Sequence, residues 1–145
     1  MSRTTITELL SAARARLDRL SPEEARHAQR EGALIVDTRS VDERRRDGLI
    51  PASLHIPLSV LEWRVDPDAD PAFHNQHIQG LEQRIVLLCA HGYSSSLAAA
   101  RLQDLGFARA TDLTGGFTAW AAAGLPVVPV GADDAVPGMG DPAPS

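Results

Sequence analysis

The 145-residue chain contains no lysine; its 14 basic residues are all arginine. That absence excludes a Schiff-base lysine and a Walker A phosphate loop, since both need the lysine ammonium. There is one cysteine, Cys89. No internal disulfide can form, so the chain is compatible with a reducing compartment. No apolar run approaches the roughly 18 residues that span a bilayer. The opening stretch MSRTTITELL lacks the apolar core of a signal peptide. A cytoplasmic location is therefore expected, with no membrane partner. Net charge is −5 and no basic stripe exists. The run Arg44 to Arg46 follows Asp42 and Glu43 and reads as a solvated helix face, so no nucleic-acid partner is expected.

What is present suits one soluble domain with one core: 43% of residues are hydrophobic and 23% charged. Ile6, Leu9, Leu10, Ala13, Leu17 and Leu20 fall on one helical face over residues 6–20. Thr5 with Glu8 forms a capping-box pattern before it. Ser21, Pro22 and Glu24 start a second helix that Gly32 can stop. Continuous apolar runs at 33–38 and 84–89 read as strands buried on both faces. Weaker strand signals lie at 52–58 and 109–113, helical ones at 59–65, 95–106 and 117–124, and 41–48 reads as a short polar helix or a turn. Strands alternating with helices imply an α/β fold, with a parallel sheet flanked by helices on both faces. The expected division is an N-terminal helix over 1–17, a domain over 18–128 and a disordered tail over 129–145, where Pro, Gly and Asp replace periodicity.

Cys89 stands at the carboxyl end of the 84–89 strand, where open α/β sheets place their ligands. The helix that follows at about Ser95 presents free backbone N–H groups and the positive end of its dipole. Both features lower a thiol pKa. Gly92 permits a tight loop, and Ser94, Ser95 and Ser96 offer caps and further donors. The segment is thus a small anion cradle with a sulfur nucleophile at its base, and no acidic residue lies within the loop to oppose a thiolate.

The wider pattern resembles the rhodanese-like domain family of sulfurtransferases. Asp37, Arg39 and Glu43 match a D-x-R-x-x-x-E piece, and Gly48, Ile50, Ile56 and Pro57 match part of a second. Cys89 and Gly92 supply the C-x-x-G loop. Leu102, Leu105, Gly106, Phe107, Leu113, Gly115, Gly116, Phe117, Ala119, Trp120, Gly124 and Pro126 match the two closing pieces. Each piece alone is weak; their order and spacing are specific. The resemblance implies a sheet of about five strands and a catalytic Cys89 that carries a sulfane sulfur as a persulfide. A small donor such as thiosulfate supplies the sulfur, and a thiol or cyanide accepts it. Ala90, His91, Gly92, Tyr93, Ser94 and Ser95 would form the substrate loop. Asp37 and Arg39 are open to a catalytic role, but the expected role of Asp37, Arg39 and Glu43 is to brace the site, with Arg39 pairing Glu43. No cofactor is expected.

One departure stands out. Many active members carry an arginine at the sixth loop position, where this chain has Ser94, so weak binding of dianionic thiosulfate is expected. His91 is the loop's titratable candidate for a positive charge. The same gap feeds an alternative reading, a non-catalytic binding or regulatory module of the same fold. A cysteine phosphatase needs C-x5-R, and that position is Ser95. A G-x-S-x-G elbow at Ser94 fails because Ser96 stands where the last glycine belongs. His74 with His77 lacks a third metal ligand, and the acidic loop 66–71 lacks the glycine and glutamate of a calcium loop, so no metal is expected. Donor, acceptor and oligomeric state stay open.

Overall fold

The first three helices each open on a reciprocal cap, which fixes where they start. In the computed structural model, which describes residues 2–131, α1 runs Ile6–Ala15, α2 Pro22–Arg30 and α3 Val41–Asp47. The hydroxyls of Thr5, Ser21 and Ser40 accept the N–H of Glu8, Glu24 and Glu43, whose carboxylates accept the cap N–H in return. Pro22 sits in the first turn of α2, where its missing N–H costs nothing.

The strands are β1 (Leu34–Asp37), β2 (Leu54–His55), β3 (Ile85–Leu88) and β4 (Thr111–Asp112). All pair in parallel, in the order β2-β1-β3-β4, with Leu34 opposite Ile85 and Asp37 opposite Leu88. Among the described residues four strands form, where about five were expected. Just past β4, Leu113 forms, among the described residues, a single parallel bridge with Leu20. That bridge also explains why α1 stops at Ala15 rather than continuing to residue 20. Leu20 donates to the Asp112 carbonyl and accepts from Thr114 N–H, which an α-helical Leu20 could not do. Ile6 and Leu9, placed on the apolar face, are 65% and 49% exposed; Ala13 and Leu17 do the packing.

Two hydrophobic layers enclose the sheet. Leu34, Val36, Ile85 and Leu87 face Leu61 and Val65 of α4 (Leu61–Val65) and Ala98, Ala99 and Leu102 of α5 (Ser94–Asp104), with Phe107 filling the same layer. Ile35, Val86 and Leu88 face Ala25 and Ala28 of α2 and Phe117 and Trp120 of α6 (Gly116–Ala122). The alternation along β1 and β3 is the two-residue period of a strand covered on both sides. α1 packs on α5, so it belongs to the same body as the sheet. Val128 exchanges two backbone hydrogen bonds with Leu49, closing the chain onto the start of the β2 segment. The expected tail lies, beyond residue 131, outside the described residues. Among the described residues, no helix is long and apolar enough to cross a membrane.

Phe107 is fully buried. Phe107→Ala should cost about 3–5 kcal/mol and lower the melting temperature by on the order of 10 °C. Urea unfolding that shows a loss under about 1 kcal/mol would contradict this account of the core.

Candidate active site

β3 ends at Leu88, and Cys89 is the first residue beyond it, 7% exposed, with α5 starting five residues later at Ser94. The intervening loop curls around the sulfur. The Gly92 N–H donates to Cys89 Sγ at 3.1 Å and the Ser95 N–H at 3.4 Å, while Ser95 Oγ lies 3.3 Å from Sγ. Burial pushes the Cys89 thiol up, but the Ser94 and Ser95 hydroxyls and the Ser95 and Gly92 amides push harder the other way, and the net shift is down.

The tight curl depends on two glycines. Gly92 has φ +86°, and a Cβ there would sit 2.7 Å from the Gly115 nitrogen. Gly116 has φ +63°, and a Cβ there would collide with the Cys89 carbonyl oxygen. Without side chains at these points the start of α6 packs directly on the loop: Phe117 N–H donates to the Cys89 carbonyl at 2.8 Å and Thr118 N–H to the Ala90 carbonyl at 3.1 Å.

Cys89 opens on a pocket of about 310 Å³. Ala90, His91, Tyr93 and Ser94 line its loop side, and Thr38, Arg39, Glu43 and Leu58 line the other. Tyr93 is 62% exposed and Leu58 41%, which leaves an apolar rim at the mouth. Gly92 and Ser95 lie beneath, as donors to the sulfur. The structure therefore brings every loop residue singled out from the sequence around Cys89. Ser94 occupies the position of the absent arginine. His91 Nδ1 lies 3.3 Å from Thr118 Oγ1.

The bracing residues arrange themselves differently from expectation. Arg39 pairs with Asp37, not with Glu43. Its Nη2 donates to Asp37 Oδ2 at 2.8 Å and to the Gly48 carbonyl at 2.8 Å, and its guanidinium lies 3.8 Å over the Phe117 ring. Arg44 Nε adds a contact from a second arginine to the same carboxylate, at 3.3 Å. The Glu43 carboxylate is taken by the Ser40 N–H at 3.0 Å. The physical reason is burial. Asp37 has no exposure at all and needs its cation, whereas Glu43 is only half-buried and already caps α3.

Three partners of the loop were not read from the sequence. Arg14 Nη2 and Arg19 Nη2 both donate to the Gly92 carbonyl, at 2.7 and 3.1 Å. Asp112, fully buried in β4, accepts from Ser95 Oγ and Ser96 Oγ at 2.8 Å each and from Arg19 Nε at 2.9 Å. An acid thus does approach the cradle, from another element. The one available signal was an aspartate inside a short apolar strand, since buried acids are rare and paired.

Fold and loop together define a parallel α/β domain that presents a single thiol, in a cradle of amides, at the carboxyl edge of its sheet. The family model described as rhodanese-like domain matches residues 21–123, and the chain belongs to that family. A sulfurtransferase of Allochromatium vinosum is 32% identical over 103 residues, 71% of this chain and 85% of that protein. Thiosulfate sulfurtransferase GlpE of Pseudomonas fluorescens is 36% identical over 104 residues, 70% of this chain and 83% of that one. Among solved structures, a Rhodopseudomonas palustris protein of unknown function, described as a possible tyrosine phosphatase, superposes with a TM-score of 0.78. It is 32% identical and covers 88% of this chain and 99% of its own.

The depressed thiol pKa sets the first functional expectation. Only thiolate is alkylated, so the rate of reaction with iodoacetamide rises with pH through the thiol pKa. Its midpoint should fall below that of an unperturbed cysteine. Gly92→Ala, which must displace the loop amide from the sulfur, should move the midpoint back up. A wild-type midpoint at or above the free-thiol value would refute the cradle.

Proposed function

We propose that this chain is a sulfurtransferase that works through a Cys89 persulfide. The observation that carries the reading is the pair of backbone N–H groups aimed at Cys89 Sγ at the floor of an open pocket. The thiolate attacks the outer sulfur of a sulfane donor; with thiosulfate, the S–S bond breaks and sulfite leaves with the electron pair. A thiol or cyanide then attacks the outer sulfur of the persulfide. The new S–S or S–C bond forms, the persulfide bond breaks, and the Cys89 thiolate returns. The amides and hydroxyls that hold the thiolate are placed to hold the anionic outer sulfur as well. Relatives named as sulfurtransferases support this class of chemistry.

The phosphatase description of the Rhodopseudomonas palustris neighbour points to a related chemistry on the same scaffold. That chemistry needs an arginine clamp on the oxyanion, six residues after the cysteine. Here the position is Ser95, buried against the sulfur, and sulfur transfer is the better reading.

The donor's charge meets little compensation. Arg39, among the described residues the one arginine lining the pocket, commits its Nε and Nη2 to Asp37 and the Gly48 carbonyl and keeps Nη1 buried, and Ser94 supplies a neutral hydroxyl. Thiosulfate turnover should be slow for want of binding.

Incubation with sulfane-sulfur donors should add one sulfur to the wild-type mass and none to Cys89→Ser, because serine without a base is a far weaker nucleophile. Full sulfur transfer by Cys89→Ser would end the persulfide reading. Ser94→Arg should raise kcat/KM for thiosulfate about ten-fold or more, mainly through KM, given about 1.5–3 kcal/mol for a charge-assisted contact. A folded Ser94→Arg with unchanged kinetics would show that charge does not limit donor binding.

A further inference from the structure

Ser95 meets Cys89 Sγ twice, through its amide at 3.4 Å and its hydroxyl at 3.3 Å, and that hydroxyl has a single hydrogen with two claimants. Cys89 Sγ lies 3.3 Å away on one side and Asp112 Oδ2 2.8 Å away on the other. When the hydrogen goes to Asp112, the oxygen turns a lone pair toward sulfur, which suits a thiol that donates S–H and disfavours a thiolate. When it goes to sulfur, the thiolate gains a donor beside the Gly92 and Ser95 amides and the Ser94 hydroxyl. Asp112 can release it because it keeps two other partners, the Ser96 hydroxyl at 2.8 Å and the Arg19 guanidinium at 2.9 and 3.2 Å. Ser95, Ser96 and Asp112 are all fully buried, so water cannot take either role.

We propose that Asp112 is a positioning residue for Cys89, deciding through the one hydrogen of Ser95 whether the sulfur faces an acceptor or a donor. The proposal rests on the reading of Cys89 as the reacting thiol. While Cys89 is a thiol, its S–H points to Ser95 Oγ and Asp112 holds the Ser95 hydrogen. As negative charge builds on sulfur, the hydroxyl rotates to it and Asp112 falls back on Ser96 and Arg19. The other charged groups around the sulfur hold fixed partners. Arg14 and Arg19 bind the Gly92 carbonyl, and Arg39 and Arg44 bind Asp37. Glu43 caps α3, and Tyr93 lies under the Arg14 guanidinium. His91, in the loop itself, faces Thr118. Of the Ser94 and Ser95 hydroxyls at the sulfur, Ser95 is the one that also reaches the Asp112 carboxylate.

The test is the pH profile of iodoacetamide alkylation, which uses no sulfur donor and so stands apart from the sulfur-transfer experiment. Asp112→Asn keeps the shape of the side chain. Its carbonyl can face Arg19 and its amide can donate to Ser95 Oγ, which turns the hydroxyl hydrogen onto sulfur. Alkylation below the midpoint should accelerate about ten-fold, the size of one good hydrogen bond. Ser95→Ala should slow it, and the double variant should match Ser95→Ala alone. Arg19→Gln is the second probe, for use if Asp112→Asn does not fold. It strips Asp112 of its cation, strengthens its hold on the hydrogen, and should slow alkylation only when Ser95 is present. No change in Asp112→Asn, or a change of equal size in the Ser95→Ala background, overturns the proposal. The second result would mean that the charge acts through space.

Discussion

A buried sulfur can carry negative charge only where donors face it, and that constraint organises this domain. Sγ of Cys89 is met by amides of its own loop. Those amides are in place because Gly92 takes a left-handed conformation and the start of α6, with Gly116 bare, presses on the loop from the other side. α6 in turn is held by Phe117 and Trp120 in the layer beneath the sheet. A packing decision several layers away thus sets the electrostatics at one atom. The same loop is anchored at the Gly92 carbonyl by two arginines from the N-terminal segment, so α1 and the link after it are part of the site's support.

Buried charge at the neighbouring strand end follows the same logic. Asp37 is sealed from water, and its cost is met by Arg39 and Arg44 together. A pair of this kind contributes little net stability against an apolar substitute, but losing one partner would leave an unpaired charge inside. Its structural effect is to fix the β1–α3 turn and draw Gly48 close through its carbonyl. Thr38, next in the chain, lines the pocket opposite Cys89. Consuming Arg39 in this way also leaves the pocket without a free cation from that side. The loop sequence, with Ser94 where an arginine is common, supplies none either.

Most elements could be read from local pattern because their signals are local. Capping boxes at Thr5 and Ser21 mark helix starts within four residues. The apolar runs of β1 and β3 need no context to read as buried strands. Misreadings arose where tertiary pairing overrode a local signal. The apolar face drawn from Ile6 to Leu20 is consistent as a helix, yet Leu20 gains more by bridging to Leu113 than by extending α1. β2 and β4 shrank to two residues each, because only those positions meet a neighbour in register.

By itself, then, the sequence determined the alternation of strands and helices, the place of Cys89 at a strand-to-helix junction and the Gly92 that lets the loop turn, since each is fixed by residues within a turn or two of one another. Only the tertiary structure decided the partners of the buried charges. Arg19 and Asp112 are 93 residues apart, and Arg14 and Gly92 78 apart. Nothing in either local sequence names the other. Arg39 had two acids within reach along the chain, Asp37 and Glu43, and the choice fell to the one that burial had stripped of water. A charge chooses its partner by the cost of leaving that partner unpaired, and that cost exists only once the surrounding elements have packed.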